Sequence, residues 1–288
     1  MRRLSIIIIT ALFIVSCSGS SSHDGDTGNS TIDASLYYYQ AQPDDVLTYT
    51  SHTVTTITGQ DPVETDVTEI NTFTQVSSIP AKYNYSGTIA GPYILETYTE
   101  DGETAGYTYY SLSGIEIIDD DLEHFTNIDY TTSTGEDEPE QIIIGQSYSY
   151  QDNETLFSSE TGAEVGSSTF NVTQTAEKVE TITVPAGSHE TLKFQVTISS
   201  SETIGDTIES LTATGYTWYG KNMGMIKYIS TPETTGGSIT ITTELSSSSI
   251  ATSAIQTHSQ LNPSPAPGAH FINQFSRPLL KRQKDLIR

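Results

Sequence analysis

The sequence predicts an all-β, mostly antiparallel fold, and three observations support this prediction. Runs rich in Thr, Val, Ile and Tyr, the residues that suit a pleated surface, recur along residues 35–250. Clusters of Gly, Pro, Asn and Asp separate these runs, as expected at chain reversals. No stretch of this region has the apolar periodicity of an amphipathic helix of three turns or more. Many short strands joined by tight turns are typical of antiparallel sheets.

The first strands form two predicted hairpins. Residues 46–58 and 63–76 flank Gly59-Gln60-Asp61-Pro62, which has the composition of a hairpin turn. Residues 93–100 and 107–118 flank a second turn segment at 101–106.

The second half of the chain contains the clearest strand pattern. Residues 179–184 and 192–198 are predicted strands joined by the turn Pro185-Ala186-Gly187. A hairpin follows, with Gly220-Lys221-Asn222-Met223-Gly224 as its turn.

Short matches between the two halves predict an internal duplication. Asp66-Val67-Thr68-Glu69 resembles Asn171-Val172-Thr173-Gln174, and Gly106-Tyr107-Thr108-Tyr109-Tyr110 resembles Gly215-Tyr216-Thr217-Trp218-Tyr219. Between them, Ile79-Pro80-Ala81 matches Val184-Pro185-Ala186. The matches keep their order at a separation of about a hundred residues, which indicates two domain-sized copies. We therefore expect two tandem β units that form a curved sheet, a half-barrel or a sandwich.

The charge distribution excludes some partners. The formal net charge is −24, and residues 4–276 carry 35 of the 36 acidic residues but only five lysines and no arginine. A surface of this sign repels nucleic-acid phosphates, so no nucleic-acid partner is expected.

The N-terminus predicts a lipid anchor. Arg2 and Arg3 precede an apolar run at residues 4–15 that is too short to span a bilayer and has the proportions of a signal peptide. The run ends Ile14-Val15-Ser16-Cys17, which resembles the lipobox of bacterial lipoproteins, and Cys17 is the only cysteine. By this resemblance Cys17 is lipidated with diacylglycerol and an acyl chain such as palmitate, and Ser18 indicates sorting to the outer membrane.

These observations divide the chain into six segments. Residues 1–16 are the signal peptide, 17–34 the lipidated cysteine with a flexible tether, and 35–133 the first β repeat. An acidic loop at 134–141 precedes the second repeat at 142–250. Residues 251–288 form a Pro-containing basic tail, predicted to be disordered, with a net charge of +4 over residues 277–288. The alternative for this tail is contact with anionic lipid or with the acidic body.

Three motifs of the second half resemble those of a group of uncharacterised bacterial envelope lipoproteins. They are Ile144-Gly145-Gln146-Ser147-Tyr148, then Val184-Pro185-Ala186-Gly187, then Trp218-Tyr219 with Gly224-Met225-Ile226-Lys227. The resemblance covers about residues 142–230. His189 stands where the group has an aromatic residue, and Met223 breaks the usual glycine spacing. The resemblance implies an antiparallel β fold related to half-open barrels and an envelope location, but no activity.

Few residues are candidates for a site. Asp119, Asp121, Glu123 and His124 offer metal ligands, but their spacing matches no standard site, so no metal is expected. No nucleophile elbow, phosphate loop or dinucleotide fingerprint is present, so neither a catalytic residue nor a cofactor is expected. His189 follows a turn and is interpreted as a half-buried strand residue. Tyr109 and Trp218 are candidates for ligand stacking, although packing in a strand is the simpler interpretation.

The predicted function is non-enzymatic binding or a structural role for a lipoprotein anchored in the outer membrane through Cys17. A carrier of an apolar ligand in a half-barrel is the alternative, and a hydrolase is the third possibility. Trp218 discriminates between packing and a carrier, because it would pack in the core in one case and line a cavity in the other. A protein or glycan partner is not specified by the sequence.

Overall fold

The computed structural model describes residues 30–37, 39, 41–85, 87, 89–112, 116–127, 134–135, 141–233 and 237–250. The lipobox with Cys17, the tether up to residue 29, the loop at 136–140 and the basic tail at 251–288 lie outside the described residues. Within the described residues, no helix is long and apolar enough to cross a membrane.

Strands dominate the described chain. Their bounds are β1 (Thr31–Asp33), β2 (Val46–Ile57), β3 (Val63–Val76), β4 (Tyr93–Glu100), β5 (Glu103–Ser111), β6 (Glu116–Asp120), β7 (His124–Asn127), β8 (Thr134–Gly135), β9 (Gln141–Ile143), β10 (Ser147–Ser158), β11 (Glu164–Val184), β12 (Gly187–Ile204), β13 (Thr207–Gly220), β14 (Gly224–Pro232) and β15 (Gly237–Ser249). Two short 3-10 helices lie at Ala34–Tyr37 and Ala81–Tyr83. The predicted turns at 59–62 and 185–187 and the Gly220 to Gly224 hairpin are all confirmed.

Twelve of the strands form one closed antiparallel barrel. Neighbours in the barrel are neighbours in the chain from β2 to β7 and from β10 to β15. The two runs join where β7 pairs with β10 and where β15 pairs with β2. The second of these junctions extends from the pair Gly237↔Ile57 to the pair Ser249↔Val46, so the last strand closes onto the first along nearly its whole length.

The all-β antiparallel prediction is confirmed, but the predicted curved sheet, half-barrel, sandwich or pair of tandem units is wrong. Both halves contribute six strands in the same meander order, yet they share one continuous sheet. Closure satisfies the main-chain hydrogen bonds that each half alone would leave at its outer strands. The duplication itself stays a prediction.

The main core fills the barrel interior. On β12 the even-numbered residues from Leu192 to Ile198 are buried and belong to one apolar cluster, whereas Gln195 and Thr197 are exposed. This period of two is that of a strand with one buried face. The segment before β2 closes one end of the barrel, because Ala34 and Tyr37 are buried in the same cluster.

A second apolar cluster lies on the outer face of the barrel. Residues 77–92, which we call the strap, connect β3 to β4 and contribute the fully buried Tyr83 to this cluster. The equivalent connection in the second half, between β11 and β12, consists only of Pro185 and Ala186. Pro80 and Pro185 therefore lie in connections of very different length.

Candidate functional site

Asp120, at the end of β6, fixes the strap to the barrel. Its Oδ2 accepts hydrogen bonds from Lys82 Nζ at 2.9 Å and from Tyr83 OH at 2.7 Å, both in the strap. Its Oδ1 accepts from Ser159 Oγ at 2.7 Å and from the Leu122 backbone N–H at 2.8 Å. One buried carboxylate thus ties the strap to two turns of the barrel.

The ionised state of Asp120 is favoured despite burial. Burial alone would raise the pKa of this carboxyl, but the hydrogen bonds from Lys82, Ser159, Tyr83 and the Leu122 N–H outweigh it and lower the pKa. Asp120 therefore remains a charged acceptor at neutral pH, where its hydrogen bonds are strongest.

Aromatic packing holds the strap along the same face. The Tyr83 ring meets Tyr109 edge-on at 5.5 Å and Phe125 edge-on at 5.0 Å between centroids. Phe125 also stacks on Phe157 at 5.3 Å. Tyr109, a sequence candidate for ligand stacking, is therefore packed beneath the strap, and its ring is 6% exposed.

An open pocket lies where the strap leaves β3 and returns to β4. Its volume is about 510 Å³, within the roughly 300–1,000 Å³ of small-molecule sites. We call it the strap pocket, and its lining includes Ser77, Ser78, Pro80, Asn84, Tyr85 and Tyr93. Among its described lining residues there is no carboxylate, amine, imidazole or thiol.

Two glycines of the strap make room for the tyrosine rings of the strap pocket. A Cβ at Gly87 would lie 2.3 Å from the Tyr85 hydroxyl oxygen, and one at Gly91 would lie 2.7 Å from Tyr93 Cε2. Any other residue would displace these rings. The Tyr93 OH also donates to the Ile89 carbonyl at 2.9 Å, which fixes its ring against the strap.

The barrel interior contains carboxylates beside its apolar core. Glu96 faces inward because its cross-strand partner is the core residue Phe73. Thr108 pairs with Glu96 on one side and with Asp119 on the other, so Asp119 also faces inward. Glu69 is on the same face of β3 as Phe73, and it accepts a hydrogen bond from Ser51. Asp152 lies opposite the core residue Phe170 on the other side of the barrel. Within the described chain the lysines that form ion pairs do so on other surfaces, with Glu177, Glu180, Glu190, Glu244 and Asp120.

Glu96 has a perturbed pKa in this environment. Burial raises the pKa of its carboxyl to about 7, and the negative charge of Asp119 acts in the same direction. The hydrogen bonds from Tyr110 OH and Asn71 Nδ2, each 2.6 Å long, lower the pKa but do not compensate for the burial. Glu96 is therefore partly protonated near neutral pH.

Trp218 is buried, as the packed interpretation expects, but it lies on the outer face of β13. Thr217 and Tyr219 pair with the interior residues Phe194 and Leu192, whereas Trp218 pairs with Lys193 and Lys227. Its Nε1–H donates to Glu180 Oε1 at 2.9 Å, and Lys193 Nζ lies 5.4 Å from its ring centroid. Trp218 therefore lies beneath the ammonium groups of Lys193 and Lys227 and does not line the barrel interior.

The sequence candidates for a metal are not brought together. Asp119 faces the interior and accepts from Thr108 Oγ1 at 3.0 Å, while Asp121 accepts from the backbone N–H groups of Glu123 and His124 in the β6–β7 turn. In the part of the chain that the structure describes, no three His, Cys, Asp or Glu residues form a group that could hold a metal ion. His189 is half-buried on β12, as predicted.

Sequence reasoning missed the strap pocket. The signal that could have found it is the long interval between two predicted strands, which contains Pro80, Gly87, Gly91 and Pro92. Such an interval is longer than a hairpin needs, and long ordered loops are often functional.

A family model described as DUF3108-like matches residues 115–230 of this chain. No curated protein matches it.

Among solved structures, a Bacteroides fragilis protein described as exported and as having a YmcC-like fold shares 14% identity at a TM-score of 0.38, covering 74% of this chain and 99% of that one. A Parabacteroides distasonis protein described as a lipoprotein shares 12% identity at a TM-score of 0.36, over 74% of this chain and 98% of that one. The hypothetical lipoprotein YmcC of Escherichia coli shares 10% identity at a TM-score of 0.26, over 74% and 87% of the two chains. These scores are too low to establish a common fold, so the barrel geometry rests on the strand pairing of this chain alone.

Proposed function

We propose that the protein is a lipoprotein of a bacterial outer membrane, anchored through lipid on Cys17, and that its barrel has a non-enzymatic binding role with the strap pocket as the ligand site. The complete lipobox at Ile14, Val15, Ser16 and Cys17 supports the anchor and the envelope location. A durable anchor needs more than one lipid chain, which a modified lipoprotein cysteine carries.

The observation that carries the binding role is the strap itself. The second half of the barrel makes the same strand-to-strand connection with two residues, whereas the first half uses residues 77–92. Asp120 and the aromatic cluster around Tyr83 hold this segment in place. A long loop fixed by buried contacts on a rigid barrel is a typical place for a binding site.

The chemistry of the pocket favours binding over catalysis. Ser77 and Ser78 supply hydroxyl groups, but the described lining residues include no histidine or carboxylate that could act as their general base. A hydrolase therefore remains the third possibility. The carrier alternative is also less favoured, because the barrel interior combines a packed apolar core with the carboxylates Glu69, Glu96 and Asp152.

The anchor is tested by metabolic labelling. Radiolabelled palmitate is expected to enter the wild-type protein and not Cys17→Ala, because the only thiol of the chain is the acceptor. Membrane fractionation should place the wild type in the outer membrane. Equal labelling of the two proteins would refute the anchor.

The pocket is tested separately by equilibrium dialysis of the full-length protein in detergent micelles against the low-molecular-mass fraction of an envelope extract. Mass spectrometry is expected to find a compound that the wild type retains and that Tyr85→Ala loses. The control is Tyr107→Ala, because Tyr107 packs against the same outer cluster but does not line the pocket. Retention that is the same in all three proteins would refute the pocket as the ligand site.

A further inference from the structure

We infer that the strap pocket takes a neutral glycan, an inference that rests on the proposed function of this pocket as a binding site. Its uncharged lining, its polar side chains and its fixed tyrosine rings all favour such a ligand.

The pocket selects against charged ligands. Its described lining residues carry no charge, so neither an anion nor a cation would find a counter-ion there. The nearest cation in the strap is Lys82, and its ammonium group is directed to Asp120 at 2.9 Å and to the Tyr83 ring at 4.5 Å. The chain as a whole carries a net charge of −24, which further disfavours anions.

The polar groups of the pocket match those of a sugar. Ser77 and Ser78 are exposed and can each donate and accept a hydrogen bond, and the exposed Asn84 amide adds donors and an acceptor. The half-buried Tyr85 adds aromatic surface, and the buried Tyr93 also belongs to the lining. Rings combined with hydroxyl and amide groups suit a ligand that has apolar C–H faces and many hydroxyls.

An extended peptide is a poorer occupant because β4, which lines the pocket through Tyr93, is paired on both sides. It pairs with β3 up to Val76↔Tyr93 and with β5 from Tyr93↔Ser111 onward. Recognition of a peptide by strand addition needs unpaired backbone groups, which β4 does not present here.

The rings are also held in place before a ligand arrives. The absence of a Cβ at Gly87 lets the strap backbone lie against Tyr85, and Gly91 does the same for Tyr93. A rigid pocket loses little freedom on binding, which favours a weakly interacting ligand such as a neutral sugar.

The test measures binding of the full-length protein in detergent micelles to immobilised hexasaccharides by surface plasmon resonance. The neutral probes are hexa-N-acetylchitohexaose, maltohexaose and cellohexaose, and the charged probes are the cationic chitosan hexamer and the anionic hexagalacturonate. We expect saturable binding to at least one neutral probe and none to the charged ones. Tyr85→Ala should weaken this binding about tenfold or more, as expected for the loss of one aromatic contact.

Gly87→Ala is the second variant, because the three atoms nearest its methyl group all belong to Tyr85, so the methyl would displace that ring. It should weaken binding in the same direction, whereas Tyr107→Ala should bind like the wild type. Melting temperatures of all variants identify any that fail to fold.

Equal or stronger binding to a charged probe would overturn the inference. A compound that is retained from the envelope extract through Tyr85, together with no binding to any neutral probe, would overturn the glycan class but leave the pocket function intact. No pocket-dependent binding in either experiment would overturn both.

Discussion

Replacing Glu96 by glutamine should remove a pH-dependent penalty from the barrel interior. Burial raises the pKa of this carboxyl from 4.5 to about 7, so the folded state binds its proton more tightly than the unfolded chain does. The stabilisation by this proton is full below the unfolded pKa of 4.5 and is lost as the pH rises to about 7. Above that pH, folding keeps a buried carboxylate with no cation among its hydrogen-bond partners, Tyr110 and Asn71.

The size of the effect follows from the pKa shift. At about 1.4 kcal/mol per pKa unit, the group costs the wild type roughly 2.5 kcal/mol of unfolding free energy between about pH 5 and pH 8. Glu96→Gln keeps the shape of the side chain and does not titrate. The stability of the variant relative to the wild type should therefore be greater by roughly 2.5 kcal/mol near pH 8 than near pH 5.

The assay is urea unfolding followed by the fluorescence of Trp218, the only tryptophan, at several pH values above the sequence pI of about 4.3. Glu103→Gln is the control. Glu103 is exposed at the β4–β5 turn, so its substitution removes the same charge from the acidic chain without altering the interior. A stability difference between Glu96→Gln and the wild type that does not change with pH would refute the reasoning. So would an equal gain in Glu103→Gln.

Two further predictions concern the anchoring of the strap by Asp120 and the close approach of β13 to β14. Asp120→Asn should cost about 1.5–3 kcal/mol of unfolding free energy, because it weakens charge-assisted hydrogen bonds to Lys82 and Tyr83. It should also speed tryptic cleavage after Lys82, and unchanged cleavage relative to an exposed control such as Asp66→Asn would contradict the anchoring role. Gly215→Ala should cost roughly 1–3 kcal/mol in the same unfolding assay, because the added Cβ would lie 1.9 Å from the Ile229 carbonyl oxygen of β14. Unfolding at the same urea concentration as the wild type would show that these strands can separate without cost.

The strand content and the turns could be predicted because they depend on neighbours in the chain. The two-residue turn at Pro185 and Ala186 follows a run of β-branched residues and precedes Gly187, so the local composition indicates a reversal. The same is true of the Gly220 to Gly224 hairpin. The closure of the barrel could not be predicted, because the pairing of β15 with β2 joins residues about two hundred positions apart, such as Ser249 and Val46. Local periodicity contains no information about such a pairing.

The strap pocket depends on the same kind of non-local contact. Asp120 lies in the sequence between the metal-ligand candidates Asp119 and Asp121, but its role depends on the approach of Lys82, Tyr83 and Ser159 from other segments. The close approach of Gly87 to Tyr85 and of Gly91 to Tyr93 depends on where the strap folds back onto its own tyrosines. The predicted strands 63–76 and 93–100 only bound this segment and do not specify how it folds.

The β13 strand separates what the sequence determines from what only the tertiary structure decides. The sequence by itself determined that Tyr216 and Trp218 share one face and that Thr217 and Tyr219 share the other, because side chains alternate along any strand. Only the tertiary structure decided that Thr217 and Tyr219 face the interior and that Trp218 faces outward beneath Lys193 and Lys227. The physical reason is that alternation is a local property of the backbone, whereas the inside of a barrel exists only after its first and last strands have paired.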